Sequence, residues 1–377
     1  ILKSDSDETA EINIAGNSGK TLSLGTNGSA RLKLDDNSVL SLSNNDSGTS
    51  NTVFGYDAGA NLGSGATLNT IFGHNAGMAL TTGDENVFLG YFAGSGSADI
   101  DRAVFIGRSA GQKASDSNND GLVAIGYGAA GATTNGTGNV AVGYSAMGDA
   151  TAVQESVALG YAAMATHGTG DRNIAIGYQA MYDTNGGSTS ADSADNIFIG
   201  KSAGGGTWAN AESSRNIGIG NLALDAAFNG AFNNVVIGHQ AASAVTTGDS
   251  NVVLGKSAAL VMTTGNQNII IGQDAGGALT TQDTCIFIGH DAGKSVNDNA
   301  ANGSIFIGYE AGDGATSGAS NVGIGYQALS GTMAGNANYN TAVGHQAGKG
   351  IAGNSNGNTA VGTFSLQSAA ECDRNTA

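Results

Sequence analysis

Apolar positions along this chain come in short bursts of three, and the bursts return at a nearly constant interval. From Asn51 onward each burst ends in a glycine, and eighteen such glycines run from Gly55 to Gly362 with 17 as the commonest spacing. The unit is shown by Asn173-Ile174-Ala175-Ile176-Gly177-Tyr178-Gln179-Ala180 and by Asn268-Ile269-Ile270-Ile271-Gly272-Gln273-Asp274-Ala275. Three residues before the glycine the chain always carries Val, Ile or Thr, and one before it always Ile, Val, Leu or Phe. Both columns favour a pleated strand. A 17-residue unit is too short for a strand, helix and return crossover, so the pattern predicts one solenoid coil per repeat with parallel strands in register. The expected fold is all-β: a parallel β-solenoid, or β-roll, of about 18 coils with a 17-residue basic repeat over residues 51–377. At about 4.8 Å per coil the rod is about 85 Å long.

The middle strand position carries an expectation about assembly. It holds Phe88, Phe105, Phe198, Ile270, Phe287 and Phe306, with Val, Ile, Ala or Gly in the other repeats. Its side chains point opposite to those of its two apolar neighbours, so the strand is apolar on both faces. One face fills a thin coil, and the other needs a cover from a second chain. These six residues are therefore expected at the interface of a homotrimer, although twofold packing satisfies the same argument.

Other columns suggest specific roles. Asparagine stands four before the glycine in 13 of the 18 repeats, including Asn173, Asn196, Asn216, Asn234, Asn251 and Asn268. Such a column makes either an axial ladder of side-chain amides or a recurring turn at the start of each strand. Asp84, Asp101 and Asp120 stand six before the glycine in three consecutive repeats. They are Asx-turn residues, or a weak calcium site that relieves stacked like charges. Four of the five histidines and eight of the ten tyrosines directly follow the glycine. An interchangeable occupant of a repeated slot is a surface residue, not a catalytic one. The three consecutive longer spacings, between Gly177 and Gly238, insert Tyr182, Trp208, Phe228 and Phe232 on adjacent coils. Solenoid insertions often form the binding face, which makes these four receptor-contact candidates, or else they cover the roll.

Residues 1–50 lack the motif and carry short alternating runs such as Ile12-Asn13-Ile14, Leu22-Ser23-Leu24 and Arg31-Leu32-Lys33-Leu34, which predict a small β-rich lead-in. Sixty-two glycines and no proline among 377 residues exclude collagen-like and polyproline structure. A net charge of -17 argues against nucleic-acid and anionic-membrane partners, and no apolar run is long enough for membrane insertion. Cys285 and Cys372 lack metal-ligand spacing and, lying about five coils apart, are not expected to pair within one chain. With no nucleophile elbow, phosphate loop or zinc signature, the chain reads as a non-enzyme without cofactor.

The units Asn340 to Ala347 and Asn358 to Ser365, with intervening Thr-Thr-Gly-Asp-x-Asn turns, resemble the repeats of bacteriophage tail fibres, notably those of marine phages. They are also similar to the β-roll head repeats of trimeric autotransporter adhesins. Both resemblances imply homotrimeric extracellular fibres, on a virion tail or a cell surface, that meet a host cell-surface receptor or glycan. The phage resemblance further implies a product longer than this sequence, with a self-cleaving chaperone beyond Ala377. A purely structural filament of solenoids stacked end to end is the alternative.

Overall fold

The computed structural model describes residues 22–26, 29–34 and 40–41 and, from residue 50 onward, all but 115–116, 185–191, 298–300, 334–336 and 368–372. In the lead-in, β1 (Leu22–Thr26), β2 (Ser29–Leu34) and β3 (Leu40–Ser41) form an antiparallel sheet in that order. The run at Ile12-Asn13-Ile14 lies outside the described residues. Eighteen three-residue strands follow, from β4 (Thr52–Phe54) to β21 (Thr359–Val361), one per repeat. Each pairs in parallel with the strands of the coils before and after it, residue for residue. β4 and β21 each have one strand partner, so the sheet is a ladder and does not close on itself. Seventeen steps between eighteen strands make it about 80 Å long. The chain is a parallel β-solenoid.

Each strand is ended by the motif glycine for two reasons. These glycines hold φ between +116° and +146°, which side-chain-bearing residues rarely adopt. In addition, the next coil passes so close that a Cβ at Gly90 would stand 2.6 Å from the carbonyl oxygen of Gly107. Beyond the glycine the turn keeps bonding to its neighbours: Asn75 N–H donates to Tyr56 O at 2.9 Å and Gly77 N–H to Ala93 O at 2.9 Å. The ladder of backbone hydrogen bonds thus continues around the coil.

The expected interface residues lie elsewhere than the sequence suggested. Phe88, Phe105, Phe198, Ile270, Phe287 and Phe306 are at most 1% exposed in the single chain, and they fill the coil's own interior. The flanking strand positions face outward instead. Val253 is 1% exposed, whereas Val252 and Leu254 on either side of it are 40% and 44% exposed.

A volume rule governs that interior. Where the middle strand position is Phe, the residue four after the glycine is itself Gly, as in Phe88/Gly94, Phe105/Gly111, Phe198/Gly204, Phe287/Gly293 and Phe306/Gly312. Where the middle position is Ala or Gly, that later site usually supplies the bulk: Ala141/Met147, Ala158/Met164, Ala175/Met181, Gly218/Leu224 and Gly323/Leu329. A Cβ at Gly111 would lie 2.5 Å from ring atoms of Phe105, so the two sites share one space. Ala124/Ala130 and Ala342/Gly348 depart from the rule, and at the second Leu329 and Ile351 reach into the gap. No coil carries a large side chain at both sites, and most carry one.

Beside this core runs the asparagine ladder. The Nδ2 of Asn251 donates to Oδ1 of Asn234 at 3.0 Å and to Gly265 O at 2.8 Å, while its own Oδ1 accepts the backbone N–H and the Nδ2 of Asn268, each at 3.0 Å. The same links join Asn173 to Asn196, Asn196 to Asn216 and Asn216 to Asn234. A buried amide whose donors and acceptor are all engaged avoids the desolvation cost of an unpaired polar group, about 1–3 kcal/mol each.

The volume rule is testable by exchange. Phe105→Ala alone removes a ring stacked 5.0 Å from Phe88 and is expected to cost about 3–5 kcal/mol. Gly111→Met alone is expected to be destabilising by overpacking. The double variant should recover most of the loss, because Met147, Met164 and Met181 occupy that site at φ 47° to 52° in other coils. Urea unfolding of the four proteins checks this; a double variant no better than Phe105→Ala would sink the rule.

Candidate functional site

Because equivalent residues stack at strand spacing, the surface is organised in columns that run along the rod. Two columns of the outward strand face, three and one before the glycine, are half-exposed or exposed throughout; the second is apolar from Phe54 to Val361, and the first is Val or Ile except at Thr52, Thr70, Thr341 and Thr359. Next to them the residues after the glycine form a ring stripe. Tyr127, Tyr144, Tyr161 and Tyr178 stack with centroids 4.9, 5.1 and 5.2 Å apart and planes within 10°. Tyr56, His74 and Tyr91 stack likewise, and the Arg108 guanidinium bridges Tyr91 and Tyr127 at 5.5 and 5.4 Å. A second stack runs His290, Tyr309, Tyr326, His345. Rings stacked in this way cover one another's faces and offer solvent their edges and hydroxyls.

The four receptor-contact candidates separate into two pairs. Trp208 and Phe228 are fully buried, with centroids 4.9 Å apart and both packed against Phe198, and Trp208 Nε1–H donates to Gly204 O at 3.1 Å. Their longer coils fold inward to bury large aromatics, so these two are not available to a partner. Tyr182 is exposed, and half-buried Phe232 lies beneath the Arg215 guanidinium at 5.5 Å. No shared patch of four aromatics exists.

Asp84, Asp101 and Asp120 link neighbouring coils. Asp84 Oδ1 accepts the Thr67 N–H at 2.6 Å and its hydroxyl at 2.8 Å, Asp101 Oδ1 accepts the Asp84 N–H at 2.8 Å, and Asp120 Oδ1 accepts the Asp101 N–H at 2.8 Å. Each carboxylate thereby caps a backbone N–H of the preceding coil. Among the described residues no group of three or more His, Cys, Asp or Glu side chains is arranged to hold a metal ion. Cys285 is a free, buried thiol whose pKa burial pushes up to about 11; Cys372 lies outside the described residues.

One buried titratable group lies outside these surface columns. His167, the histidine that does not follow a motif glycine, is fully buried beside the asparagine ladder, where Ser156 interrupts the run of amides. Its Nδ1 is 2.6 Å from the Thr184 hydroxyl and its Nε2 is 2.9 Å from Gly170 O. The neutral ring satisfies both contacts when Nε2–H donates to the carbonyl and the hydroxyl donates to Nδ1. Burial pushes its pKa down to about 4, against partial support for the charged form from Gly170 O and Asp171.

Comparison with known family models, curated proteins and solved structures returns no match to this chain.

His167 therefore makes the fold sensitive to acid. A histidine with a depressed folded-state pKa stabilises the fold above its ordinary value of 6.5, and that contribution is lost as pH falls towards about 4. The loss through this group is on the order of 3 kcal/mol. His167→Leu, which matches Leu62, Leu80 and Leu279 in the same column, should lose less stability between pH 7 and pH 4.5 than the parent in urea unfolding. Equal losses in the two proteins would assign the acid sensitivity to other groups.

Proposed function

We propose that this chain is the shaft of an extracellular fibre, of the tail-fibre or adhesin kind, built as a homotrimer and serving contact with a host cell surface. The observation that carries the reading is the outward strand face. An apolar column runs the full length of the ladder from Phe54 to Val361, and beside it a second is Val or Ile from Val87 to Val322 with Thr at either end. The largest apolar patch on a typical monomer covers roughly 300–600 Å², and a continuous stripe about 80 Å long is more than a monomer ordinarily leaves in water. A second and third copy laid parallel match the stripe along its whole length, because every coil repeats the same spacing.

The interface in this reading consists of the flanking positions, such as Val252, Leu254, Ile269 and Ile271, and not of the interior phenylalanines. The motif-level resemblance to trimeric fibres supports three copies over two. Regular columns suit a shaft, since they present the same surface in coil after coil.

Light scattering tests this directly. The chain should run at three times its 37.0 kDa mass, and Val252→Asp with Leu254→Asp should shift it towards monomer while its circular dichroism is retained. A concentration-independent monomer in the parent protein would refute the fibre reading. Mass that grows without limit would favour end-to-end stacking of solenoids.

A further inference from the structure

Two grooves lie on the turn side of the coils, and both use the columns two, five and six after the motif glycine although eight coils separate their centres. The first, about 310 Å³, is lined by Ser109, Gln112, Lys113, Tyr127, Ser145 and Asp149 over a floor of Gly128, Gly131 and Gly148. The second, about 490 Å³, is lined by Ser257, Leu260, Asp274, Lys294, Ser295 and Asn297 over Gly277 and Ala278. Both volumes fall in the range of small-ligand sites. Neither groove uses a residue of the outward apolar columns.

Three of the four floor glycines differ from the motif glycines, Gly128 keeping a positive φ of 61°. Gly131, Gly148 and Gly277 have no positive φ. A Cβ at Gly131 or Gly277 would have its nearest atom at 3.1 or 3.2 Å, a mild crowding that a small shift relieves. Other coils carry Met78, Gln112, Leu260, Lys294 and Lys349 at the same position, five after the motif glycine. The backbone thus accepts long side chains there. The depth of each groove is a choice of sequence, not a demand of the fold.

The linings share one chemistry. Each brings two serine hydroxyls, a side-chain amide, one lysine and one aspartate around a small-residue floor. Donors and acceptors are interleaved, and in the second groove the Lys294 ammonium pairs with Asp291 at 3.0 Å. Such a lining matches a ligand whose every group both donates and accepts, which is the property of a sugar hydroxyl. The net charge of -17 disfavours polyanions. The grooves share the columns two, five and six after the glycine while placing their lysine and aspartate in different ones, and their recurrence about 38 Å apart along the axis fits one extended chain running parallel to the rod.

We propose that these two grooves are binding subsites for an extended, neutral polysaccharide lying along the solenoid. This deepens the cell-surface part of the function proposed above and places the contact on the turn side, away from the buried Trp208 and Phe228. Two subsites on one rod, multiplied by copies in a fibre, raise avidity without new contacts.

Affinity gel electrophoresis of the full chain tests the inference, with hydroxyethylcellulose, galactomannan and dextran as neutral polymers and heparin as the polyanion. At least one neutral polymer should retard the protein and heparin should not. Gly131→Gln with Gly148→Gln fills the first groove with the residue that the column already carries at Gln112, and it should weaken retardation at least threefold. Adding Gly277→Gln should weaken it at least tenfold. Lys113→Ala with Asp149→Ala, which removes polar partners without adding bulk, should act in the same direction. Circular dichroism and mass should stay unchanged in each variant. No retardation by any neutral polymer, retardation by heparin alone, or equal retardation of parent and filled variants would overturn the proposal. Mass measured on the same samples keeps the two readings apart: a monomer that binds contradicts only the shaft, and a trimer that does not bind contradicts only the grooves.

Discussion

The constraint on which the structure depends is the close approach of one coil to the next at the motif glycine. A Cβ at Gly73 would stand 2.5 Å from the carbonyl oxygen of Gly90, and the same crowding recurs from coil to coil. Because the backbones meet there at strand spacing, every other equivalent pair is held at that spacing too. The strand is only three residues long, and a three-residue strand alone is marginal. Its stability comes from neighbours above and below, as in other repeat proteins, where the interface between units carries much of the free energy.

Stacking like upon like selects residues by whether they attract their own kind. Amides do, since each has donors and an acceptor, and the asparagine column binds itself through Nδ2 and Oδ1. Aromatic rings do, through offset stacking, and an arginine substitutes for a ring between Tyr91 and Tyr127. Carboxylates do not. The aspartate column is stable because each Oδ1 turns to a backbone N–H of the adjacent coil and not to another carboxylate, as Asp101 does with Asp84. Three chemically different columns therefore solve the same geometric problem by different hydrogen-bonding and packing arrangements.

The coil architecture was legible in the sequence because the repeat period and the strand columns are nearly invariant. Which face of the strand points inward was not legible from hydrophobicity, since Val252, Val253 and Leu254 are all apolar. Volume was the informative signal. The middle position ranges from Gly218 to Phe198, and its size is balanced by the residue four after the motif glycine, as only a closed interior requires. The outward positions vary little in size and show no such partner. Of the two readings open for Trp208 and Phe228, cover for the roll is the one that holds, since both fold inward and pack on Phe198. The grooves had no motif to announce them. Their mark is a glycine at a position where the backbone does not require one, which is visible only once φ is known.

What remains at the surface divides the labour of the molecule between two sides of one coil. On the strand side, uniform apolar columns offer nothing to distinguish one coil from the next, so they suit a contact that must be long and the same everywhere. On the turn side, the position five after the glycine varies from Gly131 to Lys294 without disturbing the ladder, because its side chain leaves the path of the backbone. Variation there is nearly free of structural cost, while variation at the motif glycine is forbidden. A solenoid under both constraints can alter its turn-side chemistry coil by coil while its strand ladder and outward columns stay the same.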